Sequence, residues 1–228
     1  MPIFALNEQI LFPPVDLAER SGILAVGGDL SPERLIEAYR HGIFPWYSDG
    51  DPILWWSPDP RFVLFPAETY ISKTMRQVLR RKIFDISCDT DFRAVMRGCQ
   101  EPRRREKGTW ITEEMMEAYV GLHESGIAHS IEAWQNSELA GGLYGISLGR
   151  CFFGESMFTR VSNASKAAFI SLSVRLRELG FLIIDCQVYT SHLESLGARH
   201  IPRNEYISIL EEGLKYETMQ GSWKDLIR

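Results

Sequence analysis

The fold of this chain is constrained most by one succession of elements. It consists of three strand-like runs joined by short turns, then a helix and one more apolar strand. The three runs are Ala128 to Gln135, Leu139 to Ser147 and Arg150 to Phe158. Short turns at Asn136-Ser137 and around Gly149 favour an antiparallel meander. Apolar residues at helical spacing from about Ser165 to Leu179 predict a helix that leads into a strand over Phe181 to Val188. The pattern therefore predicts a mixed α/β domain.

The first sixty residues have a different character, because proline, glycine and tryptophan interrupt them repeatedly. Such punctuation favours a compact, turn-rich lobe. Its one clear helix begins at Ser31, has Pro32 at the first helical position and stops at Gly42. We therefore predict the α+β class, with a small N-terminal domain over residues 1–62 and a larger mixed α/β domain over residues 63–228.

Charge is distributed unevenly. The net charge is −5, which by itself argues against a nucleic-acid partner. Residues 72–108 nevertheless carry eleven basic and five acidic side chains, so this segment is +6 and the remainder is −11. An amphipathic helix predicted over Ile71 to Arg81 presents much of this charge. The basic residues on and beside this helix are Lys73, Arg76, Arg80, Arg81 and Lys82. They either contact phosphates or form a merely solvated face.

Between this helix and the meander, the pattern predicts a strand (Ile83 to Ser87) and two helices (Asp91 to Cys99 and Thr112 to Ser125). The four cysteines are far apart and the five histidines form no metal-binding motif, so we expect neither a metal site nor a disulfide framework. The N-terminus has no signal-peptide pattern and no apolar run is long enough to span a membrane. We expect a cytoplasmic protein without a cofactor.

Two polar residues interrupt the apolar strand near the end of the chain. In an extended strand, Asp185 and Gln187 point to the same face, about 6.5 to 7 Å apart along the chain. A buried polar group without a partner costs about 1 to 3 kcal/mol, so the pair needs a reason to be there. Either it is a hydrogen-bonded pair that fixes the sheet, or it belongs to a functional site.

Glu155 is a second candidate. It lies between apolar neighbours and would either bind a cationic group or pair with a nearby arginine. Its neighbour Ser156 lies in a Gly-Glu-Ser-Met-Phe string that differs from the nucleophile turn of serine hydrolases at Phe158, so we do not expect a nucleophilic serine. Among the tryptophans, Trp46 and Trp110 are either core residues or stacking surfaces for bases.

Several strings together identify the chain as resembling the bacterial leucyl/phenylalanyl-tRNA-protein transferases. The likeness runs from about Ile23 to Tyr206, and its strings follow the order and spacing of that family. The strings are Gly27 to Pro32, Gly42 to Trp46, Asp51 to Pro60, Gly108 to Thr112, His129 to Glu132, Gly154 to Phe158, Asn163 to Lys166 and Ile184 to Val188.

This resemblance implies an enzyme that moves Leu or Phe, and Met less well, from aminoacyl-tRNA to the N-terminal amine of proteins that begin with Arg or Lys, marking them for degradation. It implies a larger domain similar to the N-acetyltransferase (GNAT) superfamily. By the same likeness, Asp185 and Gln187 are the catalytic pair, Trp46 and Trp110 lie around the terminal adenosine, and Glu155 is a polar residue of the site.

The resemblance also implies a pocket for the transferred side chain. Its lining residues are Leu143, Phe152, Met157, Phe169, Leu172 and Leu176. Some relatives carry Phe at the positions of Leu172 and Leu176, so a wider pocket is expected here.

Aminolysis of an activated ester requires an amine to be positioned and deprotonated, and it needs no covalent nucleophile from the protein. We therefore expect Asp185 to accept a hydrogen bond from the side-chain amide of Gln187 and so to orient the Gln187 carbonyl toward the amine. Two alternatives remain. An acetyl-CoA-dependent acetyltransferase needs a glycine-rich pyrophosphate turn that the string from Gly145 to Arg150 lacks, and an RNA-binding module would leave Asp185 and Gln187 without a role.

Overall fold

In the computed structural model, which describes residues 3–101 and 111–227, the first sixty residues form more than turns and one helix. They build a small sheet with the strand order β1-β2-β4-β3, in which β1 and β2 are parallel and the other pairs antiparallel. The strands are β1 (Phe4–Leu6), β2 (Ile23–Gly27), β3 (Phe44–Pro45) and β4 (Leu54–Trp56). The sequence did not reveal these strands because each has only two to five residues, too few for a recognisable alternating pattern.

The predicted N-terminal helix is confirmed as α1 (Pro32–Arg40), which starts after Ser31 with Pro32 in its first turn. It ends before Gly42, which has a φ of +70°. A side chain at Gly42 would come within 2.7 Å of the Tyr206 ring, so glycine is required here for both the backbone conformation and the close approach. This contact holds the end of α1 against the C-terminal part of the larger domain.

The larger domain is organised around a mixed seven-stranded sheet with the order β11-β5-β10-β9-β8-β7-β6. Its strands are β5 (Arg61–Leu64), β6 (Asp85–Cys88), β7 (Ala128–Gln135), β8 (Glu138–Leu148), β9 (Cys151–Thr159), β10 (Ile183–Gln187) and β11 (Arg199–Ile201). The predicted meander is confirmed, since β7, β8 and β9 pair antiparallel in sequence order. Strands β5 and β11 were not predicted, and both pair antiparallel beyond β10.

Helices cover both faces of this sheet. They are α2 (Lys73–Arg80), α3 (Phe92–Gln100), α4 (Glu113–Glu124), α5 (Ala164–Glu178), α6 (Ser191–Glu194) and α7 (Arg203–Gly213), with short 3-10 helices at Val15–Leu17 and Pro66–Glu68. The predicted helices exist with ends within two residues of those expected, and Thr112 caps α4 by accepting a hydrogen bond from the Met115 N–H. Helices α6 and α7 were not predicted.

Alternation along the central strands divides the buried apolar residues into two cores. Phe153 and Ile183 face the first core, with α1, α3, α4 and the small sheet, whereas Phe152 and Ile184 face the second core, with α2 and α5. The chain thus consists of a small N-terminal domain and a larger mixed-sheet domain. Within the described residues, no helix has the length and apolar character needed to cross a membrane.

Candidate active site

The candidate site lies where two parallel strands separate. Strands β9 and β10 pair only as far as Phe153 and Asp185, although β9 continues to Thr159. Glu155 and Gln187 therefore lie just beyond the last paired residues, one on each side of the split. Where two parallel strands separate, the facing backbone groups have no partner in the sheet and must form other hydrogen bonds.

Strand β10 is irregular at its end. Its register against β5 shifts between Asp185 and Gln187, and Gln187 has a φ of +63°, which is rare for a residue other than glycine. The prediction of a regular strand that runs on to Val188 is therefore wrong, because a bulge ends the strand at Gln187. Backbone strain of this kind is concentrated at functional sites.

Asp185 is fully buried and accepts four hydrogen bonds. Arg61 donates two of them, from Nε to Oδ1 at 2.8 Å and from Nη2 to Oδ2 at 2.6 Å. The Tyr206 hydroxyl donates to Oδ2 at 2.9 Å, and the main-chain N–H of Gln187 donates to Oδ1 at 2.9 Å. The expectation that Asp185 holds the side-chain amide of Gln187 is wrong, because Asp185 holds the Gln187 backbone instead and thereby fixes the bulge.

Arg61 is the cation that makes a buried Asp185 tolerable. Only 1% of its surface is exposed, and its guanidinium lies 4.7 Å from the ring centres of both Phe44 and Tyr206. Burial works against the charged form, but the attraction of Asp185 outweighs it and raises the pKa of Arg61. Because Phe44 belongs to β3, this ion pair also ties the small sheet to β10.

Glu155 holds the side chain of Gln187. Gln187 donates from Nε2 to Oε1 of Glu155 at 2.8 Å, and the hydroxyls of Tyr39 and Tyr119 donate to Glu155 at 2.7 and 3.0 Å. Burial raises the pKa of Glu155 to about 7, although these three hydrogen bonds favour the carboxylate. The sequence left open a cationic ligand or an arginine partner, and the described residues place two tyrosines and an amide around it instead.

The combined arrangement fixes Gln187 at two points. Asp185 holds its main chain and Glu155 holds the NH₂ end of its side chain. No described residue donates a hydrogen bond to the side-chain oxygen of Gln187, so this oxygen remains an acceptor with a defined direction. Such an acceptor can receive a hydrogen bond from an incoming amine.

The six residues expected to line the donor pocket are brought together, on the second-core side of the sheet. Five of them are fully buried in that core and Met157 packs against it half-buried; the five are Leu143, Phe152, Phe169, Leu172 and Leu176. Phe152 and Phe153 are neighbours in β9 and face opposite cores, so the apolar cluster and the polar network lie on opposite faces of the same strands. The role of these residues as a pocket stays a prediction.

The expected contacts to nucleic acid are partly described. Trp46 is 40% exposed and packs against Trp56, with ring centres 5.5 Å apart. Trp110 lies outside the described residues. The five basic residues Lys73, Arg76, Arg80, Arg81 and Lys82 are all exposed, on α2 and the turn after it. None of the five forms an ion pair with a carboxylate in the described ranges, and Met75 on the opposite side of α2 is buried in the second core.

Sequence reasoning missed the residues that support the site, namely Arg61, Tyr39, Tyr119 and Tyr206. A carboxylate in an apolar strand does indicate a buried partner, but the identity of that partner depends on β5 lying next to β10.

The string from Gly145 to Arg150 lies in β8 and in the turn to β9, and no helix begins after it that could bind a pyrophosphate. Among the described residues, no group of three or more His, Cys, Asp or Glu could hold a metal ion.

Two family models match this chain. The model described as leucyl/phenylalanyl-tRNA protein transferase matches residues 63–211, and the model of the N-terminal domain of that transferase matches residues 28–59. A solved structure of L-PGS from Bacillus licheniformis aligns over 75% of this chain and 57% of its own at 13% identity, and its TM-score of 0.38 is too low to support an argument.

Relatives with the name leucyl/phenylalanyl-tRNA-protein transferase are similar along nearly their whole length. The protein from Syntrophus aciditrophicus is 60% identical over 98% of this chain and 94% of its own, and that from Myxococcus xanthus is 54% identical over 99% and 97%. The protein from Nitrosospira multiformis is 56% identical over 96% and 95%. With both family models and these full-length relatives in agreement, the chain belongs to the leucyl/phenylalanyl-tRNA-protein transferase family.

Proposed function

We propose that this transferase moves Leu or Phe from the 3′ end of its tRNA to the N-terminal amine of proteins that begin with Arg or Lys. The observation that carries the proposal is the doubly anchored Gln187, whose amide is held by Glu155 and whose main chain is held by Asp185. This arrangement positions a hydrogen-bond acceptor without supplying a nucleophile, as ester aminolysis requires. Because aminoacyl-tRNA is the donor, we place the reaction in the cytoplasm.

In this mechanism, the side-chain oxygen of Gln187 accepts a hydrogen bond from the acceptor amine. This bond directs the lone pair of the amine nitrogen at the ester carbonyl. The new C–N bond forms, the C–O bond to the terminal ribose breaks, and the ribose oxygen takes up the proton that the amine loses. A neutral amide is a poor base, so Gln187 positions the amine, and water or a ribose hydroxyl carries the proton. The Glu155 carboxylate keeps the Gln187 amide from rotating.

The larger domain has features that support a GNAT-like assignment. Its sheet combines an antiparallel meander with a parallel pair, β9 and β10, that separates beside the candidate catalytic residues. The boundary expected at residues 62 and 63 falls within β5 (Arg61–Leu64), which belongs to the large sheet, so we place the change of domain just before it, between Trp56 and Arg61. The negative charge outside residues 72–108 suits a cationic acceptor terminus.

The donor pocket is assigned to Leu143, Phe152, Met157, Phe169, Leu172 and Leu176, and the adenosine contacts to Trp46 and Trp110. Purely apolar side chains accept Leu and Phe, reject charged side chains, and discriminate one methylene group by only about 1 to 3 kcal/mol.

The function is tested by incubating the enzyme with a protein that begins with Arg and with labelled Leu-, Phe-, Met- and Lys-tRNA. Transfer of Leu and Phe, some Met and no Lys is expected, and acetyl-CoA should give no product. Equal use of Lys-tRNA, or acetyl transfer alone, would contradict the proposal.

Charge reversal on α2 should weaken tRNA use specifically. The double variant Arg76→Glu, Arg80→Glu is expected to raise KM for Leu-tRNA at least about tenfold and to flatten its dependence on salt, because each lost phosphate contact removes a released counterion. Initial rates at 50 to 200 mM salt measure this.

The matched control is Arg20→Glu, Arg177→Glu, which reverses the same charge at two exposed arginines outside residues 72–108. This control should leave KM near that of the unmodified enzyme. Equal effects of the two double variants would show a general charge effect and would contradict a binding face on α2.

A further inference from the structure

The C-terminal segment after α7 has no regular helix or strand, yet it is fixed along its length. The hydroxyl of Thr218 accepts a hydrogen bond from the Gly149 N–H at 2.9 Å, and the Gln220 side chain donates to the Ser125 carbonyl at 2.8 Å. The Gly221 N–H donates to the carbonyl of Gly126 at 3.0 Å. These bonds attach the segment to the turns that precede β7 and β9, and they lead its last residues into the second core.

Trp223 is the most strongly held residue of this segment. Its main-chain N–H donates to Oδ2 of Asp89 at 2.7 Å, and its indole stacks on the His129 ring at 3.8 Å with an angle of 6° between the planes. Asp89 is buried and also accepts hydrogen bonds from Nδ1 of His129 and from the Ser130 N–H, both at 3.0 Å. Burial lowers the pKa of His129, so its ring is neutral and donates from Nδ1. A buried carboxylate and a neutral ring therefore set the position of one indole.

Trp223 also lies beside the cluster assigned to the donor pocket. Its ring centre is 6.1 Å from that of Phe152, and only 3% of Trp223 and none of Phe152 is exposed. Leu226, three residues later, is buried in the same core as Leu143, Phe169 and Leu172. Phe152 thus contacts the indole of Trp223 and is also one of the side chains assigned to the donor pocket.

We propose that the C-terminal segment 219–227 forms the back wall of the donor pocket and that Trp223 limits the size of the transferred side chain by holding Phe152 in place. Asp89 and His129 are positioning residues that act through Trp223. The segment lies beyond residues 63–211, which the family model matches. The inference rests on the proposed function, because it uses the pocket assigned there.

The test compares kcat/KM for Phe-tRNA with kcat/KM for Leu-tRNA. Trp223→Ala removes the bulk behind Phe152, so the ratio of Phe to Leu use is expected to rise about tenfold, the scale of discrimination in an apolar pocket. Trp223→Leu keeps an apolar side chain in the core and so preserves more of the stability of the fold. It should move the ratio in the same direction by a smaller factor. A merely structural role would lower both rates together and leave the ratio unchanged.

Two further variants separate the possible failures. Leu122→Ala truncates a side chain that is fully buried in the first core, so it destabilises the protein without touching the pocket and should leave the ratio unchanged. Leu172→Ala widens the assigned pocket directly. If Leu172→Ala shifts the ratio and neither Trp223 variant does, the back wall is overturned and the pocket stands. If neither Leu172→Ala nor either Trp223 variant shifts the ratio while transfer continues, the pocket assignment fails and the inference fails with it.

Discussion

Replacement of Arg61 by methionine is expected to lower the free energy of unfolding by about 3 to 5 kcal/mol, the cost of leaving one member of a buried ion pair without its partner. Asp185 would lose two of its four hydrogen bonds and its only cationic neighbour among the described residues. Methionine fills similar space, so the loss comes mainly from the uncompensated carboxylate. Urea denaturation followed by fluorescence measures the change.

Arg199→Met is the matched control for this prediction. Arg199 also pairs with a carboxylate, that of Glu68, but the two side chains are 47% and 51% exposed. Exposed pairs contribute about 0 to 1 kcal/mol, so the control should be nearly as stable as the unmodified protein. If Arg61→Met were no more destabilising than Arg199→Met, Arg61 would not be the residue that makes a buried Asp185 tolerable.

Glu155 is expected to make the protein less stable as the pH rises from about 4.5 to about 7. Its pKa is raised from 4.5 to about 7 in the folded state, so between these values the folded protein binds more protons than the unfolded chain does. The contribution of Glu155 to stability is therefore greatest below pH 4.5, declines through this window and levels off above pH 7. At about 1.4 kcal/mol per pKa unit, the decline attributable to Glu155 is about 3 kcal/mol.

Glu155→Gln removes this titration, because the amide stays neutral. The difference in unfolding free energy between the unmodified protein and the variant should fall by about 3 kcal/mol from pH 4.5 to pH 8, since this difference cancels the other titrating groups. Glu117→Gln is the control, because Glu117 is exposed and Arg93 lowers its pKa, so its small pH dependence has the opposite sign. A difference for Glu155→Gln that does not change with pH would mean that Glu155 is not a buried, weakly acidic group.

The framework of the larger domain could be predicted because its elements have strong local signals. The meander of β7, β8 and β9 consists of strand-like runs of eight to eleven residues joined by short turns, and α5 has a clear apolar stripe ended by Gly180. By contrast, β5 and β11 are strands of four and three residues, of which β5 pairs with β10 and β11 pairs with β5. Short strands of this kind depend on tertiary contacts that no local pattern records.

The same distinction applies to the candidate site. Asp185, Gln187 and Glu155 stand out in the sequence because each is a polar residue among apolar neighbours. Their hydrogen-bond partners do not stand out, since Arg61 and Tyr39 are separated from them by more than a hundred residues and meet them only in the folded sheet. The bulge at Gln187 was missed for a related reason, because a regular alternation of side chains cannot show where a strand loses its register.

The central claim is that Gln187, held by Glu155 and Asp185, positions the acceptor amine for peptide-bond formation. The test of this claim is to measure single-turnover transfer from labelled Leu-tRNA to a protein that begins with Arg. The rate constants of Gln187→Ala and of the unmodified enzyme are compared, and the affinity of each for tRNA is measured in parallel. We expect the transfer rate constant to fall by about a hundredfold, the lower scale for loss of a positioned hydrogen-bonding group, with tRNA affinity unchanged. An unchanged rate constant at equal tRNA affinity would contradict the account.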